Sequence, residues 1–381
     1  MPMRTDVIII GGGVNGMAIA HHLLKAGVTV RLFEQQKLGQ AASWAAGGML
    51  AASMEAEAGE AELVKLCLES QQLWPEFAAD IAEESGVDIG YRREGTIQVA
   101  ANRDEVRRLQ HLFSLQQQLQ LPVSWLLPQQ IQQKEPALSA RLQGALYCGD
   151  DHQVDNRQLL LALIALLQHS TILLHENTKI ERLITEAGRV CGVAAGNVEY
   201  RAAQVIVANG AWSKQLAGVS PTLLPPVRPV KGQMLLVQMP AHAMINHTIW
   251  GEGIYLIPRR DGRLLLGATV EEKGFDTSVT AGGMLTLLQH AFAVYPMLED
   301  CVVLESWAGL RPGSRDDAPI LGESSLPGLI FATGHHRNGI LLAPITAWAI
   351  TELVTQGKMP PIAEKFTIHR FHEGVSCQTS L

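Results

Sequence analysis

The chain opens on an apolar run, Asp6 to Ile10 (DVIII), which breaks off into GGGVNG at residues 11–16. A run without polar alternation marks a strand covered on both faces of a parallel sheet. MAIAHHLLKAG then carries apolar residues at helical spacing as far as Gly27, a natural helix stop. VTVRLF returns to a strand that ends at Glu34. The spacing next predicts helix over 55–85 with a break near Pro75, antiparallel strands over 87–101, and an amphipathic helix over DEVRRLQHLFSLQQQLQL. VDNRQLLLALIALLQHS (154–170) reads as a helix buried on most faces, TILLHENTKIERLI as a strand, and Val205–Ala208 as another buried strand. Residues 227–270 read as a meander of antiparallel strands separated by turns such as RRDGR. GLIFATGHHRNGILLAPITAWAITELV reads as a strand, a Gly-His turn and a closing helix that starts near Gly339 and Ile340.

Parallel strands with antiparallel insertions place the chain in the α/β class, with an α+β character from two domains. A Rossmann-like nucleotide-binding domain is expected from residues 1–85, 147–220 and 308–381, and a second, mainly antiparallel substrate-binding domain from 86–146 and 221–307. Ligand is expected between them, at the carboxyl ends of the parallel strands.

Gly11, Gly13 and Gly16 satisfy G-x-G-x-x-G, with Val14 and Asn15 between the last two. The first glycine permits a tight turn, the second lets main-chain amides reach a pyrophosphate, and the third lets helix and strand touch. The helix N-terminus adds partial positive charge. Glu34, 18 residues beyond Gly16, is placed to accept hydrogen bonds from an adenosine ribose. After it comes AASWAAGGML (41–50), with Ala42, Ser43, Ala46, Gly47, Gly48 and Met49, where an NAD enzyme would usually continue into helix and third strand. So small a stretch suits main chain lying along a pyrophosphate and a flat ring system, which favours FAD.

Bulk properties narrow the partners. The 381 residues are 47% hydrophobic and carry a net charge of -7, with Lys and Arg scattered, so no basic face for nucleic acid is expected. The five cysteines lie far apart without a C-x-x-C pair, and the 13 histidines show no metal-ligand spacing. No metal or disulfide framework is expected, and a reduced, cytoplasmic setting fits. The start leaves no room for an export signal. The longest apolar run, LLLALIALL (159–167), falls short of the roughly 18 residues a membrane span needs.

GGGVNG, AASWAAGGML, VANGAW, WAGLRPGSRDDAPILG and GHHRNGILLAP, in that order over nearly the full chain, resemble the D-amino-acid oxidase family of flavoproteins. Within it they are most similar to the glycine-oxidising branch that serves thiamine biosynthesis. The resemblance implies FAD and oxidation of glycine, sarcosine, D-alanine or D-proline to imines. The imines hydrolyse to 2-oxo acid and ammonia while oxygen becomes hydrogen peroxide, and a homotetramer is implied. It also implies a cofactor site that includes Gln35, Ile180, Asn209, Gly210, Trp212, Gly334, His335, His336, Arg337, Asn338, Gly339, Ile340 and Leu341.

For the substrate carboxylate the candidate is Arg311, whose guanidinium fork matches two oxygens; read without the resemblance, it could equally be a surface arginine paired with Asp316 or Asp317. The resemblance gives Tyr255 a hydroxyl contact to the same carboxylate, places Arg337 over the substrate, and sets Met49 against ring or substrate. The amides opening the closing helix are expected to face flavin N1 and O2. His335 and His336 are not assigned as a general base, since a neutral amine gives up hydride without one. Gly253 stands where some relatives carry a larger polar side chain, which bears on pocket size. Some sarcosine oxidases bind flavin through a Cys just before the Arg311 position; ESWAGL has none, so non-covalent FAD is expected. A dehydrogenase of the same fold that feeds a quinone, and a non-catalytic flavin-binding subunit, are the competing readings.

Overall fold

The computed structural model describes residues 5–371; Cys377 and the first four residues lie outside them. Among the described residues, two eight-stranded sheets and one two-stranded ladder carry the fold. Thr5–Ile10 sits in the middle of the first sheet, parallel to Val198–Val207 on one side and Val30–Phe33 on the other. Leu329–Thr333 continues the sheet beyond Val198–Val207, and Leu173–His175 extends it beyond Val30–Phe33. The unbroken DVIII run follows from this central position. Val7 and Ile9 feed the core under the helix Val14–Lys25, while Ile8 and Ile10 feed a separate core on the opposite face. Each such side chain taken from water contributes about 1.5–3 kcal/mol.

The second sheet runs Val302–Gly313, Arg228–Gln238, Arg263–Gly267, Ile254–Pro258, Thr248–Gly251, Thr96–Ala100, Gly144–Cys148, Val123–Leu126. The strands within 227–270 are antiparallel as expected, but the last three form the meander and fold back so that Arg263–Gly267 lies against Arg228–Gln238. Period-two alternation assigns the faces. Leu235, Val237, Leu256 and Leu266 pack with Leu287 and Val294 of the helix Ala281–Val294, whereas Met234 and Tyr255 point the other way and face the first sheet's ligand end.

Four local expectations are corrected. The helix Ala61–Ser85 runs straight through Pro75, because Trp74 and Ser70 on its inner face both donate to the Leu341 carbonyl, at 2.8 and 2.6 Å, and tertiary packing outweighs the proline. TILLHENTKIERLI is two strands, Leu173–His175 and Arg182–Glu186; between them Asn177 takes a φ of 53° and the chain turns to donate to Gln36 and Glu34 carbonyls. Of 87–101 only Thr96–Ala100 is a strand, since the residues before it are drawn to the main chain of Gln153 and Asp155. The closing helix begins at Ala343, after a 3-10 turn at His336–Asn338. Among the described residues no helix is long and apolar enough to cross a membrane, and no cluster of three or more metal-ligating side chains occurs.

Candidate functional site

A cavity of about 360 Å³ lies where the first sheet's parallel strands end and the second sheet's inner face begins, within the usual size of small-molecule sites. Its wall brings together Gly11, Gly13, Val14, Asn15, Glu34 and Gln35 with Ala42, Ser43, Ala46, Gly47, Gly48 and Met49. Ile180, Asn209, Gly210, Trp212, His335, His336, Arg337, Gly339, Ile340, Tyr255 and Arg311 also line it. Gly16, Gly334, Asn338 and Leu341 do not. Gly16 is instead a packing residue, since a Cβ there would meet the Gly11 carbonyl oxygen at 2.0 Å. Leu341 turns its carbonyl into the helix Ala61–Ser85.

At the Rossmann end the Glu34 carboxylate accepts from the Gly12 and Gln36 amides, at 2.8 and 2.9 Å. Those bonds aim it along the strand end. Asn15 donates to the Gly339 carbonyl at 3.1 Å, tying the first helix to the turn before the closing one. The side-chain oxygens of Asn15 and Asn209 are buried without a partner. Among the described residues no protein acceptor meets the N–H groups of Gly339, Ile340 or Leu341. The amides expected from a helix start at 339 are thus offered by a turn, because the helix itself begins four residues later.

The small stretch at 41–50 has a reason the sequence did not give. A Cβ on Gly47 would strike Ile257 at 2.4 Å, and one on Gly48, whose φ is 79°, would strike the Val154 carbonyl at 2.1 Å. These glycines are required first by the protein's own packing. Arg259, unremarked in the sequence, lies buried beneath them and donates to the Gly47 and Val154 carbonyls and to the Gln153 and Asn156 side chains. Burial lowers its pKa to about 10, with Asp155 pulling the other way. Above the stretch, Arg157 is held between the rings of Trp44 and Trp307, at 4.7 and 4.4 Å, and makes two bonds to Glu305 at 2.7 and 3.1 Å. Trp307 also donates to the Ala45 carbonyl. The Val302–Gly313 strand is therefore fastened to the small stretch.

That strand carries Arg311. Its guanidinium lies over Gly232, where a Cβ would come within 2.4 Å of it, and donates to the Thr269 carbonyl at 3.2 Å. No carboxylate among the described residues pairs with it; Asp316 is taken by Arg370, and Asp317 sits by Arg228 and His336. The surface-pair reading of Arg311 thus fails. Tyr255 lies close by: burial raises its phenol pKa and the Arg311 charge pulls it back. Its hydroxyl donates to the Met234 sulfur at 3.3 Å. Trp250, which the sequence reading omitted, also lines the cavity, with a buried ring N–H that has no partner. Gly253 is no part of the wall; it turns the hairpin with a φ of 66°, and a side chain there would hit His290.

Arg337 lines the cavity, but its guanidinium faces three carboxylates: Glu60 at 2.6 Å, Glu55 at 3.1 Å and Glu57 at 3.5 Å. Glu55 is itself a wall residue, and burial pushes its carboxyl up to about 7 against the pull of Arg337. Burial lowers His335 to about 3 and His336 to about 4. Both imidazoles are neutral at neutral pH, and His335 is engaged with the Thr346 hydroxyl at 3.0 Å.

Unpartnered acceptors on two asparagines, three free main-chain amides, an aimed carboxylate and a cradle without side chains fit the hydroxyls, phosphates and ring edge of FAD. The comparisons agree with that fit. The chain matches the family described as DAO, FAD dependent oxidoreductase, over residues 6–353. It is 36% identical over 379 residues to the bifunctional protein ThiO/ThiG of Trichormus variabilis, a match that covers 98% of this chain but 56% of that one. The chain thus spans about half the length of that relative. It is 36% identical over 357 residues to the glycine oxidase of Geobacillus kaustophilus, with 93% of this chain and 94% of that one covered. The crystal structure of glycine oxidase from the same organism superposes with a TM-score of 0.90 at 35% identity, covering 96% of this chain and 99% of that one. With the FAD cradle, the fold and the full-length match in agreement, this chain belongs to the DAO family of FAD-dependent oxidoreductases.

Proposed function

We propose that the chain oxidises glycine and other small amines, including sarcosine, D-alanine and D-proline, to the imine and then the 2-oxo acid and ammonia, with oxygen reduced to hydrogen peroxide. The observation that carries this reading is Arg311, a guanidinium in the cavity wall with no carboxylate of its own. Such a group matches an amino acid's carboxylate, and a pair of this kind gives direction as well as affinity. In this reading Arg311 anchors the carboxylate, the Tyr255 hydroxyl supports it, and Met49 and Trp250 bound the space left for a small side chain. Bound FAD supplies a two-electron acceptor to which the α-carbon hydride can pass. Burial holds His335 and His336 well below the usual imidazole range, which makes both weak bases, consistent with hydride loss from a neutral amine. The relatives' names support a role as the glycine oxidase of thiamine biosynthesis. Among the described residues no cysteine lines the cavity, which supports non-covalent FAD. A cytoplasmic homotetramer, with the domain division given above, completes the proposal.

The test is peroxide release under air from a panel of glycine, sarcosine, D-alanine and D-proline. Peroxide with glycine is the expected result. Flavin bleaching without peroxide would move the chain to the dehydrogenases, and no bleaching with any amine would make it a binding subunit.

A further inference from the structure

Among the described residues two guanidiniums face this cavity, and they are not equivalent. Arg311 meets no carboxylate among the described residues, while Arg337 meets three. Glu57 and Glu60 reach Arg337 from the outer side of the 55–60 turn; the Glu57 side chain is 67% exposed. Glu55 differs: its side chain is 10% exposed, it forms part of the wall, and its Oε2 makes no hydrogen bond although Arg337 Nε is 3.1 Å away. Arg337 Nε is likewise without a hydrogen bond. A buried carboxylate oxygen and a buried guanidinium N–H thus lie side by side as an ion pair without a hydrogen bond between them. The Glu55 charge also acts on Arg311 and Tyr255.

We infer that Glu55 is a specificity-determining residue that restricts the enzyme to amines with a single acidic group. This rests on the amine-oxidase reading above and deepens it. A substrate's first carboxylate takes Arg311. A second one needs a second cation; among the described residues the wall's other cations are Lys179, in the segment that meets Glu34 at the Rossmann end, and Arg337, already neutralised by Glu55 and its neighbours. Once ionised, which burial delays to a pH of about 7, Glu55 faces the incoming group with the same sign of charge, and like charges in a poorly solvated site repel strongly. Exclusion of this kind acts by rejecting the wrong ligand rather than by improving the right one.

The experiment compares sarcosine with iminodiacetate, its counterpart with a second carboxylate, in the wild-type holoenzyme and in Glu55→Gln, at a pH well above the value of about 7 to which burial pushes Glu55. Peroxide release gives kcat and KM, and flavin absorbance gives FAD content. The variant is expected to raise kcat/KM for iminodiacetate relative to sarcosine at least tenfold, chiefly through KM. Adding Arg337→Gln is expected to abolish the gain. An unchanged ratio in a variant that retains FAD overturns the inference. A second measurement needs no variant: titration of wild-type flavin absorbance with glycolate and with malonate should show malonate binding at least tenfold more weakly. Malonate binding as tight as glycolate overturns the inference as well. If wild type oxidises neither glycine nor sarcosine, the parent reading fails instead, whatever the binding ratio.

Discussion

Arg311 and Tyr255 reach the cavity from neighbouring parts of one sheet face, and removing the guanidinium should separate substrate binding from cofactor binding. Arg311→Ala is expected to raise the glycine KM by roughly 30- to 1,000-fold, the equivalent of about 2–4 kcal/mol for a charge-assisted pair, with FAD content unchanged. Steady-state kinetics and the flavin spectrum check it; a normal KM would remove Arg311 from the site. Both residues were singled out through the family resemblance, and only the 227–270 segment that holds Tyr255 was also expected to be strand. Glu55, Trp250, Met234 and Arg259 were not. Their roles depend on which distant segments meet, as when Arg259 reaches Gly47 across 212 positions. Gly232 and Gly309 carried a faint signal. A glycine inside a strand often marks a close approach, and these two lie against the Arg311 guanidinium and the Ala45 methyl.

At the scale of elements, periodicity placed the Rossmann strand, its helix and the antiparallel strands, and erred where packing outweighed local preference. Pro75 is the instructive case. It lies on the exposed side of a 25-residue helix whose inner face is pinned by Trp74, Gln71 and Ser70. The helix tolerates the missing N–H, but the intrinsic cost remains. Pro75→Ala should stabilise the protein by about 1–2 kcal/mol, the helix-interior penalty of roughly 3 kcal/mol less what proline gains by stiffening the unfolded chain. Urea denaturation checks it, and a destabilised variant would show that the proline sets the helix's curvature against its neighbours. The late start of the closing helix was also hidden from the sequence. ILLAP has helical composition, but the Leu341 carbonyl is bound to Ser70 and Trp74 instead of to the next helical turn.

At the scale of the whole molecule, several buried titratable groups set opposing pH dependences. His22, His335 and His336 are held by burial at about 4, 3 and 4, below the unfolded value. The unfolded chain therefore takes up their protons first, and their stability contribution falls as pH drops below about 6.5. Glu55 and Asp151 are pushed up by burial, to about 7 and about 6. The folded chain holds their protons longer, so their contribution is present at low pH and is lost as pH rises through those values. Replacing Glu55 with Gln removes one opposing term. Between about pH 4.5 and 7 the stability of Glu55→Gln should rise with pH more steeply than that of wild type, by up to roughly 1.4 kcal/mol per pH unit. Denaturant titrations at several pH values check it; parallel curves would mean that Glu55 titrates as it does in the unfolded chain. The parallel strands of the first sheet were legible in part, because Thr5–Ile10, the Val205–Val207 end of Val198–Val207 and Leu329–Thr333 share one buried apolar character.

Arg157 between two indoles has a mechanical consequence. The clasp joins the floor beneath the proposed ring position to the strand that presents Arg311, so the width of the slot between them is set by a stacked cation rather than by slack loops. Indole emission from Trp44 and Trp307 becomes a built-in gauge of that width: steady emission through turnover means a rigid slot, and a shift that vanishes in Arg157→Ala means jaws that part.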